Sequence, residues 1–444
     1  MNVSSKTNRR GFLKQSGKSA VGAAAGLTIL PSSRSAFARN DQINLAVVGF
    51  RGRGRRLIRE FLEIEGVNLV ALCDVDETLW KTRCEEVEEK QGRSPKLCWD
   101  FRELLDDPGI DAIATATPNH WHALLTIRAC QAEKDVYVEK PACWCFEEGE
   151  RMIEAARKYD RVVQVGHGGR ARPANREAVR RAWGGEVGDV YMSRGLCFKA
   201  RESIGFKPET EPPSTLHWDL WQGPVPRRPF HENLVHYNWH WFWDYGNGDI
   251  GNQGVHQIDI ARWLLGKGLP VSVHCTGGRY GYQDQGETPN TLVATFHYED
   301  GKMLVFEVRG LPSNEELGAK VGNIVYGSDG FMSSGDDYQP RIGYDGEAKP
   351  MAPPKPVAIG GADDESIFQN FINVMRTRNR KDLVCELKEG VISAQLCHLA
   401  NISYRLGRSL RFDPNKKQFV DDPEANALMT RKEWAKGFEL PKKV

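Results

Sequence analysis

The apolar positions of the first part of the chain fall into short continuous runs separated by amphipathic stretches. INLAVVGF (Ile43–Phe50) is a β-rich apolar run that closes on a glycine turn, which reads as a strand covered on both faces of a parallel sheet. RGRGRRLIREFLEIEG follows, a glycine-rich turn and then Leu57, Ile58, Phe61 and Leu62 at helical spacing. The alternation continues through VNLVALCDVD, a charged helix from about Glu77 to Gln91, IDAIATATP (Ile110–Pro118) and HALLTIRACQAE. DVYVEKP, FEEGERMIEAARKYDR and VVQVGH complete it. Five strands alternating with helices predict a doubly wound parallel sheet.

After about Arg176 the pattern changes. Tryptophans and prolines crowd the stretch from Trp218 to Trp243. Period-two alternation then appears in PVSVHCTGG, NTLVATFHYEDG, KMLVFEVRG and GNIVYGSDGFMSS, joined by turns of the EDG type. This predicts an antiparallel meander, and so a second, α+β domain with a largely antiparallel open sheet. Helices return at ESIFQNFINVMRTRN and ELKEGVISAQLCHLANISYRLG, after the connector MAPPKPVAIGGADD (Met351–Asp364). The expected domains are 39–170 and 171–412, with 413–444 as a tail.

Composition narrows the class. The chain has 444 residues, 40% hydrophobic and 27% charged, with a formal net charge of +1. That is a globular composition without the basic excess that nucleic acid or an anionic membrane would call for. Residues 1–38 read as a twin-arginine export signal: Arg9 and Arg10, then Phe12, Leu13 and Lys14, a weakly apolar stretch Ser19–Leu30, and a small-x-small site at Ala36–Ala38. A mature chain starting near Arg39, exported to the periplasm or beyond after folding, is the expectation, with the twin-arginine machinery as a partner. Beyond this leader no apolar run is long enough to anchor the chain in a bilayer. The 10 cysteines show no C-x-x-C spacing, which argues against a zinc site or a disulfide framework and for small core residues.

Candidate chemistry sits where strands end. In VVGFRGRG, Gly49 and Gly54 take the tight-turn and helix-packing places of a dinucleotide fingerprint, while the middle place holds Arg51 with Gly52 beside it. Asp74 ends the second strand. A carboxylate there can bind adenosine ribose hydroxyls and repel a 2′-phosphate, favouring NAD over NADP; a helix cap is the lesser reading. Thr117, Pro118, Asn119 and His122 follow the third strand, as ligand contacts or as a capped turn. Glu139, Lys140 and Pro141 close the fourth.

The order of these motifs, followed by GNGDIGNQGVHQIDIARWLLG, resembles the Gfo/Idh/MocA family of NAD(P)-dependent sugar and polyol oxidoreductases over about Ile43–Phe412. The resemblance implies a Rossmann domain, a C-terminal substrate domain whose sheet often builds a dimer or tetramer, and hydride transfer between a carbinol carbon and NAD. It places Lys140 beside the nicotinamide, where a partly desolvated amine can move the hydroxyl proton, with Glu139 lining the cofactor site and orienting it. Pro141 fixes a turn. His256 matches the histidine of the family's D-x-x-x-H segment, but Asn252 stands where the aspartate is usual. An amide can hold a hydroxyl but cannot take its proton, which leaves that task to His256 or Lys140. Asp249 and Asp259 lie nearby, and Asp259 is a candidate to orient His256. The aromatic residues Trp218, Trp221, Tyr237, Trp239, Trp241, Trp243 and Tyr245 fit a sugar pocket or an interdomain core. Arg170 or Arg172 can serve an acidic sugar or lie on the surface. An exported enzyme would have to keep its NAD bound through turnover. Two alternatives remain: glycoside cleavage through a transient keto-sugar, and a non-catalytic sugar-binding protein on the same fold.

Overall fold

The computed structural model describes residues 42–343, 347–348, 357–363, 365–441 and 444. Residues 1–38, read above as an export signal, and part of the proline-rich connector lie outside the described residues.

The first sheet has six parallel strands, β1 (Ile43–Val48), β2 (Val67–Cys73), β3 (Lys96–Cys98), β4 (Ala112–Thr115), β5 (Asp135–Val138) and β6 (Val163–Val165), in the order β3-β2-β1-β4-β5-β6. Reversal of strand order between β1 and β4 opens a crevice at the carboxyl ends, the usual ligand position in such sheets. The strands are apolar throughout because both faces are covered. Leu45 and Val47 pack toward α1 (Gly52–Leu62), Ala46 and Val48 toward α4 (Asn119–Gln131) and α5 (Phe146–Lys158). The intervening helices α2 (Trp80–Gln91) and α3 (Arg102–Leu105) complete the crossovers. The apolar runs of the sequence predict five of these strands. The sixth, β3, is a three-residue edge strand without an apolar run, too short to register as a pattern.

Among the described residues the second sheet has ten strands. Its meanders, β8 (Ser272–Gly278), β9 (Thr291–His297) and β10 (Met303–Arg309), then β11 (Val321–Gly327) onward, are antiparallel as expected. Between them lies an unexpected strand, β7 (Val190–Phe198), parallel to β10 and antiparallel to β11. After the helices α6 (Pro173–Gly184) and α7 (Trp218–Gln222), one face of this sheet carries α8 (Val255–Leu265), which continues from a π-helical turn, Ile250–Gly254. Two glycines let that segment lie close on the sheet: a Cβ at Gly254 would come within 2.3 Å of Phe306, and one at Gly195 within 3.0 Å of the Gln257 carbonyl oxygen.

The last two long helices pack on the first domain. α9 (Ile367–Thr377) joins the core under α1, and α10 (Leu387–Leu406) joins the core of α4 and α5. The supposed tail is not a tail. Phe438 packs edge-on against Trp121 at 5.4 Å, and Arg431, buried, lies 3.8 Å from the Trp144 ring. A chain stretch rich in lysine reads as solvated unless the two anchors within it are weighed.

Candidate active site

A cavity of about 710 Å³ opens at the carboxyl ends of the first sheet. Its floor is the glycine turn. Gly49 has φ +75°, and a Cβ there would come within 2.9 Å of the Thr117 nitrogen; a Cβ at Gly54 would lie 1.8 Å from the Gly49 carbonyl oxygen. Only glycine fits either place. At Gly52 a Cβ would meet nothing within 4 Å, so this residue borders open space at the start of α1. That helix begins without a side-chain cap and without an acidic residue in its first turn, so its free N–H groups can meet an anion. Arg51 also lines the cavity.

Asp74 closes β2 at the same wall. Its carboxylate accepts hydrogen bonds from the backbone N–H groups of Phe50 (2.8 Å) and Asp76 (3.0 Å). Burial pushes its pKa up to about 6, against the pull of those N–H groups. It thus ties the glycine turn to the second strand while facing the cavity. A 2′-phosphate would meet both Asp74 and Asp76 here, which fits NAD rather than NADP.

On the other side of the switch point stand Thr117, Pro118, Asn119, Glu139 and Lys140, all lining the cavity. Glu139 is buried and paired with Arg53 at 2.7 Å. Gly166 leaves room for it, since a Cβ there would lie 2.6 Å from Glu139 Oε1. Glu139 reaches the Lys140 backbone N–H at 3.3 Å rather than its ammonium. The Lys140–Pro141 peptide is cis. Lys140 Nζ donates to the Asn252 carbonyl oxygen at 2.6 Å. Burial lowers the lysine pKa, with Glu139 opposing.

The Asn252 amide donates to the Tyr237 hydroxyl at 3.1 Å. Asp249 is not a free base: it is buried and held by Arg201 through bonds of 2.6 and 2.9 Å. His256 lies one helical turn past Asn252, its ring 5.7 Å from that of His167. Burial first, then the Lys140 ammonium, hold its pKa well below the ordinary value.

Several expectations need correction. His122 does not line the cavity; it is buried, its ring nitrogens 2.7 Å from the Pro141 carbonyl oxygen and 2.8 Å from that of Thr117. It braces two site loops from behind. Asp259 does not hydrogen-bond His256. Its carboxylate is taken by Arg170 (2.9 Å) and the Ser393 hydroxyl (2.7 Å). The same pair removes Arg170 from any sugar pocket, and Arg172 is exposed. The aromatic crowd divides: Trp221, Trp241, Phe242 and Tyr245 form a small core, while His236, Tyr237 and Trp239 line the cavity along with Trp221. Trp99, Asp76 and Arg201 escape a reading of the sequence because their partners lie in remote parts of the chain.

Fold and site together define an NAD-binding Rossmann protein with a fused α/β second domain. Residues 43–167 match the profile described as oxidoreductase family, NAD-binding Rossmann fold, and residues 198–342 and 354–436 that described as oxidoreductase family, C-terminal alpha/beta domain. The chain belongs to the Gfo/Idh/MocA oxidoreductase family. It is 29% identical over 168 residues to a levoglucosan dehydrogenase of Pseudarthrobacter phenanthrenivorans, covering 38% of this chain and 36% of that protein. It is 28% identical over 226 residues to the scyllo-inositol 2-dehydrogenase (NAD(+)) of Bacillus subtilis, covering 51% and 54%. A glycosyl hydrolase family 109 protein of Shewanella sp. (strain ANA-3) is 27% identical over 170 residues, covering 34% and 37%. The chain therefore spans only a third to about half of these relatives' lengths. In fold it is similar to the WlbA dehydrogenase of Bordetella pertussis, crystallised with NADH and UDP-GlcNAcA, with TM-score 0.63, 21% identity, and coverage of 84% of this chain and 98% of that one.

When bound, NAD supplies a ring carbon that accepts or returns hydride. The glycine turn and the α1 N-terminus would hold its pyrophosphate, Asp74 its ribose, and the wall at Thr117, Asn119 and Glu139 its nicotinamide half. Among the described residues Lys140 is then the one cavity-lining amine, desolvated and able to exchange a proton with a hydroxyl.

Proposed function

We propose that the protein is an oxidoreductase that moves a hydride between the CH–OH carbon of a sugar or polyol and a tightly held NAD. The observation that carries this reading is the half-buried Lys140 ammonium, lining the dinucleotide cavity just past the end of β5 and fixed on the Asn252 carbonyl at 2.6 Å. Asn252 holds the substrate hydroxyl, Lys140 exchanges its proton, and His256 behind them tunes or relays that exchange. Trp239 and Tyr237 offer ring faces and a hydroxyl to a pyranose or cyclic polyol. The test is the protein purified without added cofactor. Denaturation should release about one NAD(H) per chain, and sugars or polyols should bleach or generate bound NADH absorbance. No nucleotide, and no binding of added NAD, sinks the reading in favour of a sugar-binding protein.

A second reading, glycoside cleavage through a transient keto-sugar with NAD regenerated in place, draws on the family 109 relatives. Release of an aglycone from nitrophenyl glycosides without net NADH would favour it. We also propose export by the twin-arginine route, checked by fractionating cells that carry the full chain or its Arg9→Lys, Arg10→Lys variant. The open face of the ten-stranded sheet, with Val293, Val305 and Tyr326 turned outward, is the proposed contact for a homo-oligomer, checked by light scattering.

A further inference from the structure

The adenosine half of a dinucleotide in this fold lies over β1, β2 and β3, away from Lys140 on β5. In this protein a segment of the second domain crosses to that end. Thr215–His217 runs antiparallel to Val75–Glu77, joined by Glu77 N–H to the Thr215 carbonyl (3.0 Å) and His217 N–H to the Val75 carbonyl (2.9 Å). Two side-chain contacts repeat the attachment. His217 Nε2 lies 3.0 Å from Glu77 Oε1, and His236 Nε2 lies 3.1 Å from Asp76 Oδ2.

The second contact is built. Asp76 is buried, and its other oxygen is fixed by the Thr78 N–H (3.1 Å) and hydroxyl (2.6 Å). That leaves Oδ2 turned to His236. Asp76 and His236 both line the dinucleotide cavity, with Leu216 beside them. The His217 ring also lies 4.4 Å from that of Trp99, and Trp99 in turn stacks on Trp80 at 5.8 Å, so a ring at β3's end meets the crossing segment while keeping one part exposed. Trp99 lines the cavity as well.

We infer that Asp76 and His236 form a cofactor-retaining clasp: the second domain closes over the adenosine subsite, and NAD leaves only when the His236–Asp76 contact opens. The inference rests on the NAD-bound reading and deepens it, since it supplies the physical means by which the nucleotide stays through successive turnovers. His217–Glu77 is the lesser tie. Both of its side chains are substantially exposed, and an exposed pair of this kind contributes little.

The experiment measures nucleotide retention, not turnover. The full chain and its variants His236→Ala, His236→Gln and Asp76→Asn are purified without added cofactor, their NAD(H) content is assayed, and bound NADH is chased with excess NAD+ while its fluorescence is followed. Loss of one hydrogen bond to a charged group predicts release about tenfold faster in His236→Ala, with partial recovery in His236→Gln, whose amide can still donate to Asp76. His217→Ala should change release less than about threefold. Thermal melting of the nucleotide-free variants checks that each is folded. If a folded His236→Ala releases NADH at the wild-type rate, the clasp is overturned while the dehydrogenase reading stands. If the wild type neither retains nor binds NAD, the dehydrogenase reading fails and the clasp with it.

Discussion

The Lys140 ammonium and the Asn252 main-chain carbonyl meet at 2.6 Å, across 112 residues of sequence. The carbonyl belongs to the π-helical turn ahead of α8, where the regular ladder of backbone bonds is displaced and a carbonyl can serve a side chain instead. The lysine is thereby aimed without a carboxylate to hold its proton.

Replacing Lys140 by Met should lower kcat by about a hundredfold or more while leaving NAD content unchanged. Oxidation needs the neutral amine, so its rate should rise with pH through a midpoint below the ordinary lysine pKa of about 10.4, because burial lowers it. Carbonyl reduction should fall over the same interval. A pH profile in both directions checks the sign.

Asp259 and Arg170 are both buried, and burial of a charge without its partner is expensive. Asp259→Ala should cost about 3–5 kcal/mol of stability in denaturant unfolding. Burial pushes the Asp259 pKa up, but Arg170 beside it outweighs that and holds it far below its ordinary value. A depressed carboxylate contributes stability that is present above its unfolded pKa of about 3.9 and is lost as pH falls through the folded value. The pair therefore survives mild acid.

Glu148 behaves in the opposite sense. It is buried, its carboxylate accepts from the Trp144 and Cys145 N–H groups, and burial pushes its pKa up to about 7. The folded state then binds a proton that the unfolded state has released, so its contribution is full below about pH 4.3 and is lost as pH rises through about 7. Glu148→Gln keeps an acceptor and should flatten the fall in stability between those limits, read by urea unfolding at successive pH values.

Two glycines of the same turn should respond differently. Gly54→Ala drives a methyl into the Gly49 carbonyl and should abolish NAD binding or folding. The methyl of Gly52→Ala meets nothing within 4 Å, so melting temperature should hardly move and any loss should appear only in NAD affinity. Thermal melts with and without NAD separate the two.

What could be read from the chain was what is local. Strand, glycine turn and helix follow one another at Ile43–Leu62, so the turn at Gly49 and Gly54 and the strand end at Asp74 could be placed from the residues, whereas Lys140 drew its role only from the resemblance to a family. Strand β7 did not. VYMSRGLCF mixes Ser193 and Arg194 into an apolar run, and its partners β10 and β11 arrive more than a hundred residues later. The partners of Asp249 and Asp76 were hidden for the same reason: Arg201 is 48 residues away, and His236 belongs to the other domain. Charges that pair at a distance look unpaired in sequence, which is why Arg170 resembled a ligand residue.

The return of α9 and α10 bears on how the molecule comes apart. Phe368 lies 5.4 Å from Phe61 and Phe371 5.9 Å from Tyr137, so one face of the nucleotide-binding sheet is finished by residues from late in the chain. Val391 and Ala394 finish the other. A fragment ending near residue 170 would expose apolar surface on both sides and should aggregate rather than fold. The two domains are thus topological units but not independent thermodynamic ones, and heat or denaturant should melt them in a single cooperative transition.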